Sequence, residues 1–269
     1  MRIGAETRLV GLLGDPVSHS LSPLMQNAAF AARALDWAYV ALRVEPEGLE
    51  AAIAGLSALG FAGANVTIPH KTPVVAFCDE LDPVAERAGS VNTLVVRDGS
   101  VHGSSTDGLA VTEAVATRGE HVLVLGAGGG AQAVATALLD AGAASLRVAS
   151  RSEERAGGLV SRLRSLFPST RVEAAESWPP ERGDASVLVN ATPILDEVVL
   201  DPAGLRAVVD LAYRPDAGAT ALVEAARAAG AETADGLEVL VRQGAASFER
   251  WTGVPAPVDV MRSVLRRDG

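Results

Sequence analysis

A single lysine, Lys71, stands among 23 basic residues, the other 22 being arginine. Arginine has replaced lysine wherever a generic positive charge would serve, yet one ammonium is kept. A partly buried ammonium can shift its pKa toward neutrality and exchange a proton, which a guanidinium cannot do; retention of a surface lysine by chance is the plainer alternative. Four polar motifs stand where apolar strands are predicted to end: Ser18-His19-Ser20-Leu21-Ser22-Pro23, Asn65-Val66-Thr67-Ile68-Pro69-His70-Lys71, Ser90-Val91-Asn92-Thr93 and Ser105-Thr106-Asp107-Gly108. The carboxyl ends of strands line the ligand crevice of open α/β sheets, so these motifs are candidates for one pocket. Each has an ordinary explanation when taken alone. Ser20 and Ser22 could cap a helix ahead of Pro23, Asn92 could be a turn residue, and Asp107 could cap a helix beginning near residue 109. Four such motifs in one chain are harder to explain that way.

A second set of residues points to a phosphate-bearing ligand. Gly126-Ala127-Gly128-Gly129-Gly130-Ala131 directly follows a short apolar strand predicted at 121–125 and opens a helix running to 141. That context gives a glycine-rich run its meaning. Gly126 allows the tight turn, Gly128 lets the backbone approach a pyrophosphate at the helix N-terminus, and Ala131 keeps helix and strand close. These features indicate a dinucleotide. The next predicted strand, 145–150, ends in Ser150-Arg151-Ser152-Glu153-Glu154-Arg155 rather than in an acidic residue that would hold a ribose 2′-hydroxyl. Two arginines and two hydroxyls suit a 2′-phosphate and hence NADP. Glu153 and Glu154 either serve as helix N-terminal acids or repel that phosphate.

The elements that must position these residues alternate in type. Strands are predicted at 9–14, 38–44 and 61–68, with helices at 22–35 and 48–59 between them. Short helices at 73–81 and 83–88 follow, then a hairpin of 90–96 and 100–103 turning at Asp98-Gly99, placed at the sheet edge. From about Gly108 the pattern begins again: a helix at 109–117, the strand–glycine–helix unit, a helix at 155–166, strands at 186–190 and 207–211, and a helix at 219–229. Helical periodicity at 237–251 and 258–267 closes the chain. The expected fold class is α/β with two domains. Residues 1–107 plus 236–269 would form a substrate-binding domain with a mostly parallel sheet, and residues 108–235 a Rossmann-type doubly wound NADP-binding domain.

Composition narrows the partners. The formal charge of −10 argues against a nucleic-acid partner, which is held largely by clustered Lys and Arg. Residues 122–139 lack charge, but the switch from a β-branched run to a helix-forming run at the glycine cluster reads as strand–turn–helix, not as a membrane span. The first 11 residues carry charges and no long apolar run, so no signal peptide is read there. One cysteine, Cys78, allows no intrachain disulfide and fits a reducing, cytoplasmic compartment. The four histidines lack metal-ligand spacing, and no metal is expected. The sequence leaves monomer and homodimer open.

In these motifs the chain resembles the shikimate dehydrogenase family from residue 12 to about residue 253. The likeness is carried by the four polar motifs, the glycine loop, Asn190-Ala191-Thr192-Pro193, Asp210-Leu211-Ala212-Tyr213, and Asp235-Gly236-Leu237 through Gln243-Gly244-Ala245-Ala246-Ser247-Phe248, in that order. The resemblance implies a shikimate-pathway oxidoreductase that interconverts 3-dehydroshikimate and shikimate with NADP. By the same resemblance Lys71 and Asp107 form the catalytic pair. Ser20 and Ser22, with Tyr213, hold the substrate carboxylate, and Thr67, Asn92 and Gln243 hold the ring hydroxyls. Gly126, Ala127, Gly128, Gly129, Gly130, Ser150, Arg151, Ser152, Arg155, Leu211 and Gly236 line the cofactor site. The chain departs from the family pattern at Ser105, usually Asn; at Ser150 and Ser152, commonly Asn and Thr; and at Ile194 and Leu195, where a Gly is common.

Quinate-using members tend to carry Thr at the second serine position and an acid after the second cofactor strand, so Ser22 and Arg151 point instead to shikimate and NADP. An aminoshikimate substrate, differing by one amine or hydroxyl, stays open. A catalytically silent NADP-binding regulatory paralogue is the rival from another class, and the presence of both Lys71 and Asp107 weighs against it.

Overall fold

The computed structural model describes residues 3–266. It forms two compact units: unit 1 runs through Thr106 and resumes at Leu240, and unit 2 is Asp107–Val239.

Unit 1 is built on a six-stranded sheet of order β2-β1-β3-β5-β6-β4. Its strands are β1 (Arg8–Gly14), β2 (Trp37–Arg43), β3 (Gly63–Val66), β4 (Glu80–Leu81), β5 (Thr93–Arg97) and β6 (Ser100–Ser104). β2, β1 and β3 are parallel, and the β5–β6 hairpin returns antiparallel through Asp98 and Gly99, whose positive φ of 51° and 84° suit such a turn. Helices α1 (Ser22–Ala32), α2 (Leu49–Ala58) and α3 (Pro83–Ala88) connect them. α3 carries a full set of boundary signals. Asp82 Oδ1 accepts the Ala85 N–H at 2.7 Å, Pro83 opens the helix, and Gly89 at φ 62° closes it.

Three expectations for this unit need correction. Residues 73–81 are not one short helix: a 3-10 turn over Pro73–Phe77 gives way to β4. Asp79 donates its N–H to the Val101 carbonyl at 2.9 Å and accepts the Val101 N–H on Oδ2 at 2.7 Å, drawing the chain onto β6. The hairpin therefore lies inside the sheet, with β4 at the edge. The helix expected to reach residue 35 stops at Ala32 because Ala34, at φ 53°, takes the left-handed conformation that usually announces itself as glycine.

Helix α8 (Gly236–Thr252) carries its C-terminal part into unit 1, followed by α9 (Val258–Leu265); residue 267 of the predicted last helix lies outside the described residues. Phe248 stacks on Phe30 of α1 with ring centroids 5.3 Å apart. Trp251 Nε1 donates to the Leu94 carbonyl of β5 at 2.8 Å, passing over Gly63.

Unit 2 contains β7 (His121–Leu125), β8 (Ser145–Ala149), β9 (Arg171–Ala174), β10 (Val187–Asn190), β11 (Ala207–Asp210) and β12 (Glu232–Ala234), all parallel in the order β12-β11-β10-β7-β8-β9. Read from β9, this is the doubly wound order that leaves a crevice where β7 and β10 diverge. Helices α4 (Asp107–Ala114), α5 (Gly129–Asp140), α6 (Glu153–Leu166) and α7 (Ala221–Ala228) complete the unit. Wholly buried Leu123, Val124, Leu188 and Val208 make the strands apolar on both faces, as a sheet covered on both sides requires. The sequence pattern does not announce β9 and β12, which are only four and three residues long with little apolar character.

A buried carboxylate joins two strand ends in unit 2. Asp210, 0 % exposed, accepts from Asn190 Nδ2 at 2.8 Å and the Ala212 N–H at 2.9 Å on Oδ1, and from Thr220 Oγ1 at 2.6 Å on Oδ2. Thr220 in turn caps α7 by accepting the Val223 N–H. Burial pushes the Asp210 carboxyl above the usual carboxylate range, and the bonds from Thr220, Ala212 and Asn190 pull it part of the way back.

Two stability predictions follow from this packing. A Cβ at Gly63 would lie 2.1 Å from the Leu94 carbonyl oxygen and 2.7 Å from Trp251 Nε1, so Gly63→Ala is expected to cost about 3 kcal/mol in urea denaturation. Because the folded-state pKa of Asp210 is the raised one, the folded protein binds that proton more tightly than the unfolded chain. Its contribution to stability therefore falls as pH rises from about 4 through the folded-state value, and Asp210→Asn should flatten that part of the stability–pH curve.

Candidate active site

In unit 1 the candidate binding groups are organised by one buried amide. Asn65, 5 % exposed at the end of β3, accepts the Tyr39 hydroxyl on Oδ1 at 2.9 Å. Its Nδ2 faces the Asn92 carbonyl (2.9 Å), Ser247 Oγ (3.0 Å) and Thr93 Oγ1 (3.2 Å). Asn92, 1 % exposed, accepts the Thr106 N–H on Oδ1 at 2.9 Å. Its Nδ2 donates to Thr106 Oγ1 at 2.9 Å and to Gln243 Oε1 at 3.2 Å. Asn92 and Gln243, 151 residues apart in sequence, are thus brought together. Gln243 is half-buried, and its Oε1 is the end that meets Asn92.

The segment bearing Lys71 is pinned on several sides. The Thr67 N–H donates to the Leu13 carbonyl at 2.8 Å, the Val91 N–H to the Lys71 carbonyl at 2.8 Å, and His70 Nε2 to the Val44 carbonyl at 2.7 Å. Gly14 makes room for Thr67, whose Cγ2 would lie 2.3 Å from a Cβ at that position. Thr67 and Lys71 are both half-buried. Ser22 is buried but does not cap α1: Leu21 is the N-cap, without a side-chain cap bond. Ser20 Oγ accepts the Ser22 N–H at 3.2 Å, leaving its own proton to donate elsewhere. Asp107 is the first residue of α4 rather than the residue capping it, and is buried. Lys71 belongs to unit 1, whereas Asp107 and Tyr213 belong to unit 2. Ser105, in place of the family's asparagine, is buried with no partner for its hydroxyl.

The candidate cofactor residues of unit 2 gather at the ends of β7, β8 and β11. Gly126, at φ 110°, sits where a Cβ would stand 2.9 Å from the Ala191 carbonyl oxygen, so the crevice between β7 and β10 closes down on it. A Cβ at Gly128 would meet no atom within 4 Å, which leaves room at the N-terminus of α5 that the protein does not itself fill. Ala131 is buried against the sheet. Leu211 lies beside Gly130, at 3.9 Å from a Cβ built there. Gly236 lies against the next residues of that loop: its Cβ would stand 2.1 Å from the Ala212 carbonyl oxygen.

After β8, Ser150 Oγ accepts the Ser152 N–H at 3.2 Å, and Ser152 Oγ caps α6 by accepting the Arg155 N–H at 3.3 Å. Both hydroxyl protons stay available to an anion. Arg151 and Arg155 are exposed, and Glu153 and Glu154 occupy the first turn of α6, where acids complement the helix dipole.

Four organising residues escape a reading of the sequence alone. Asn65 and Thr106 stand inside the polar motifs without being singled out. Ser247 follows Gln243 by one helical turn and is a polar residue on a buried face, a signal that the sequence does contain. Tyr39 gives none, being one aromatic in an apolar strand. Other chemistries find little support. No group of three or more His, Cys, Asp or Glu suited to a metal occurs among the described residues. Burial pushes the half-buried Cys78 thiol up to about 11, unsuited to a nucleophile. Among the described residues no helix is long and apolar enough to cross a membrane.

Known proteins are similar to this chain in sequence and fold. The shikimate dehydrogenase substrate binding domain matches residues 12–94, the shikimate / quinate 5-dehydrogenase family residues 109–177, and the shikimate 5′-dehydrogenase C-terminal domain residues 236–266. The shikimate dehydrogenase (NADP(+)) of Rubrobacter xylanophilus is 47 % identical over 283 residues, spanning 100 % of this chain and 99 % of its own. The crystal structure of shikimate dehydrogenase from Aquifex aeolicus superposes with a TM-score of 0.88 at 33 % identity, covering 98 % of this chain and 100 % of that one. The shikimate 5-dehydrogenase of Thermus thermophilus, solved in complex with NADP(H) and shikimate, gives 0.83 at 33 % identity, with 97 % and 100 % covered. A chain so matched end to end, with the strand-end motifs in place, belongs to the shikimate dehydrogenase family.

Proposed function

We propose that this protein is a cytoplasmic oxidoreductase that reversibly reduces 3-dehydroshikimate to shikimate with NADPH. The observation that carries the reading is the buried amide cluster of unit 1, which sets Asn92 and Gln243 side by side near the pinned Lys71 segment. Unit 1 supplies the substrate half and unit 2 the NADP half, so the functional division of the chain follows its two compact units.

Reduction of a ketone to a secondary alcohol needs a hydride on carbon and a proton on oxygen. NADPH supplies the hydride when bound, and the protein must hold the substrate and handle the proton. Lys71 Nζ gives that proton to the carbonyl oxygen in reduction and takes it from the hydroxyl in oxidation. Asp107, as its partner, orients the lysine and the substrate hydroxyl. Ser20, Ser22 and Tyr213 take the substrate carboxylate through hydroxyl donors. Thr67, Asn92 and Gln243 take the ring hydroxyls.

NADP suits the residues of unit 2. Gly126 to Gly130 leave the backbone bare at a helix N-terminus, where N–H groups and dipole favour a pyrophosphate. Ser150 and Ser152 each accept a backbone N–H and keep their protons, while Arg151 and Arg155 lie exposed beside them. Two hydroxyl donors and two guanidiniums complement a 2′-phosphate better than a 2′-hydroxyl.

Nicotinamide absorbance would be followed with shikimate, quinate and aminoshikimate, each offered with NADP and with NAD. Turnover is expected chiefly with shikimate and NADP; preference for another pair would reassign the substrate or cofactor, and no turnover at all would favour a regulatory role. Lys71→Ala is expected to lower kcat about a thousandfold, and Lys71→Arg should not restore it, because a guanidinium does not give up its proton. Arg151→Ala is expected to raise KM for NADP about tenfold while leaving KM for shikimate unchanged.

A further inference from the structure

Ser247 of α8 is 0 % exposed, so its hydroxyl touches no ligand, yet it has four polar neighbours. Ser247 Oγ lies 3.0 Å from Asn65 Nδ2, 2.7 Å from Thr93 Oγ1, 3.0 Å from the Gln243 carbonyl oxygen and 3.4 Å from Thr106 Oγ1. A helical serine commonly bonds the carbonyl one turn back, and the Gln243 contact is of that kind. The other three come from β3, β5 and the segment before α4, which a serine merely filling a helix face would not need.

The contacts trace a ring in which the two hydroxyl protons fill all links but one at a time. Ser247 meets Thr93, Thr93 Oγ1 donates to Asn92 Oδ1 at 3.0 Å, Asn92 Nδ2 donates to Gln243 Oε1 at 3.2 Å, and the Gln243 carbonyl returns to Ser247. Ser247 and Thr93 each carry one proton, so the two hydroxyls can be ordered in two ways. In one, Ser247 donates to Thr93 and Thr93 to Asn92 Oδ1, while Thr106 Oγ1 serves the Gln243 carbonyl at 3.1 Å. In the other, Thr93 donates to Ser247 and Ser247 to that carbonyl, while Thr106 Oγ1 serves Asn92 Oδ1 at 3.2 Å. In both orderings Asn92 Oδ1 also accepts the Thr106 N–H and Asn92 Nδ2 donates to Gln243 Oε1, so the side-chain amides keep one orientation in either.

We propose that Ser247 is a positioning residue for substrate recognition, fixing the amides of Asn92 and Gln243 so that Gln243 presents its Nε2 as a donor to a ring hydroxyl. The inference rests on the assignment of this cluster to shikimate binding. It places the determinant of that geometry one layer behind the groups that meet the substrate. Loss of the Ser247 hydroxyl opens the ring between Thr93 and α8 while leaving both amide side chains present.

The test is steady-state kinetics on the full-length protein and its Ser247→Ala variant, with each substrate varied in turn. KM for shikimate is expected to rise about tenfold while KM for NADP stays within about twofold. Adding Ser247→Ala to Gln243→Ala should raise KM for shikimate by less than about a further twofold, since both changes act through one group. An unchanged KM for shikimate, an equal rise in both constants, or multiplying effects in the double variant would overturn the positioning role. Should Ser247→Ala fail to fold, Thr93→Val opens the same ring at constant shape, and an unchanged KM for shikimate there would count equally against it. A parent protein without shikimate turnover would overturn the substrate assignment and this role together; a parent that turns over beside an unaltered Ser247→Ala would overturn the role alone.

Discussion

An amide shut away from water must find its hydrogen-bond partners within the protein, because each one left unmade costs about 1–3 kcal/mol. Asn65 is under that demand where β2, β3, β5 and α8 meet: Tyr39 serves its oxygen, and the Asn92 backbone, Ser247 and Thr93 offer acceptors to its two amide protons. Once these partners are in place, Asn92, Thr106 and Gln243 are no longer independent. Each amide end is assigned, and residues from four distant stretches of chain hold the amides in a single arrangement. The groups proposed to face the substrate are therefore placed by a polar lattice beneath them. Such lattices are worth more intact than the sum of their bonds, since a broken one leaves buried groups unpaired.

Unit 2 meets the same demand with a charge. Asp210 has no cation beside its carboxylate in its hydrogen-bond set; two oxygens are satisfied by an amide, a backbone N–H and a hydroxyl. Those bonds fix the loop after β11, and Gly236 can approach the Ala212 carbonyl only because it lacks a side chain. On the other side of the crevice Gly126 lets the ends of β7 and β10 come close in the same manner. The region proposed to hold a dinucleotide is thus bounded by backbone at its narrowest points, where dipoles rather than side chains meet a phosphate.

What the sequence discloses in advance is governed by local signals. The apolar runs of β1, β7, β10 and β11 and the boundary residues of α3 are legible because each is dictated by its own residues. β4 reads as helix because only a long-range bond to Val101 makes it a strand, and the end of α1 is misplaced because an alanine takes a glycine's conformation. In the site, Asn92 and Thr67 are named through the polar motifs in which the chain resembles the family. That Ser22 does not cap α1 is visible only in the folded chain, as is the use of Ser152 Oγ as the α6 cap. Asn65 and Tyr39 are hidden for one reason: their partners are set by the folding of separate segments into contact, which no window of sequence contains.

The solitary lysine has an analytical consequence. An amine-acylating reagent meets a single ε-amine in the whole chain, and that amine sits half-buried in the pinned segment after β3. Covalent labelling of side-chain amines is therefore confined by composition alone to the proposed reaction centre. Apart from the α-amine at the chain start, whole-protein mass would report Lys71 as a one-site meter, with the extent of its modification tracking how far ligands shield it.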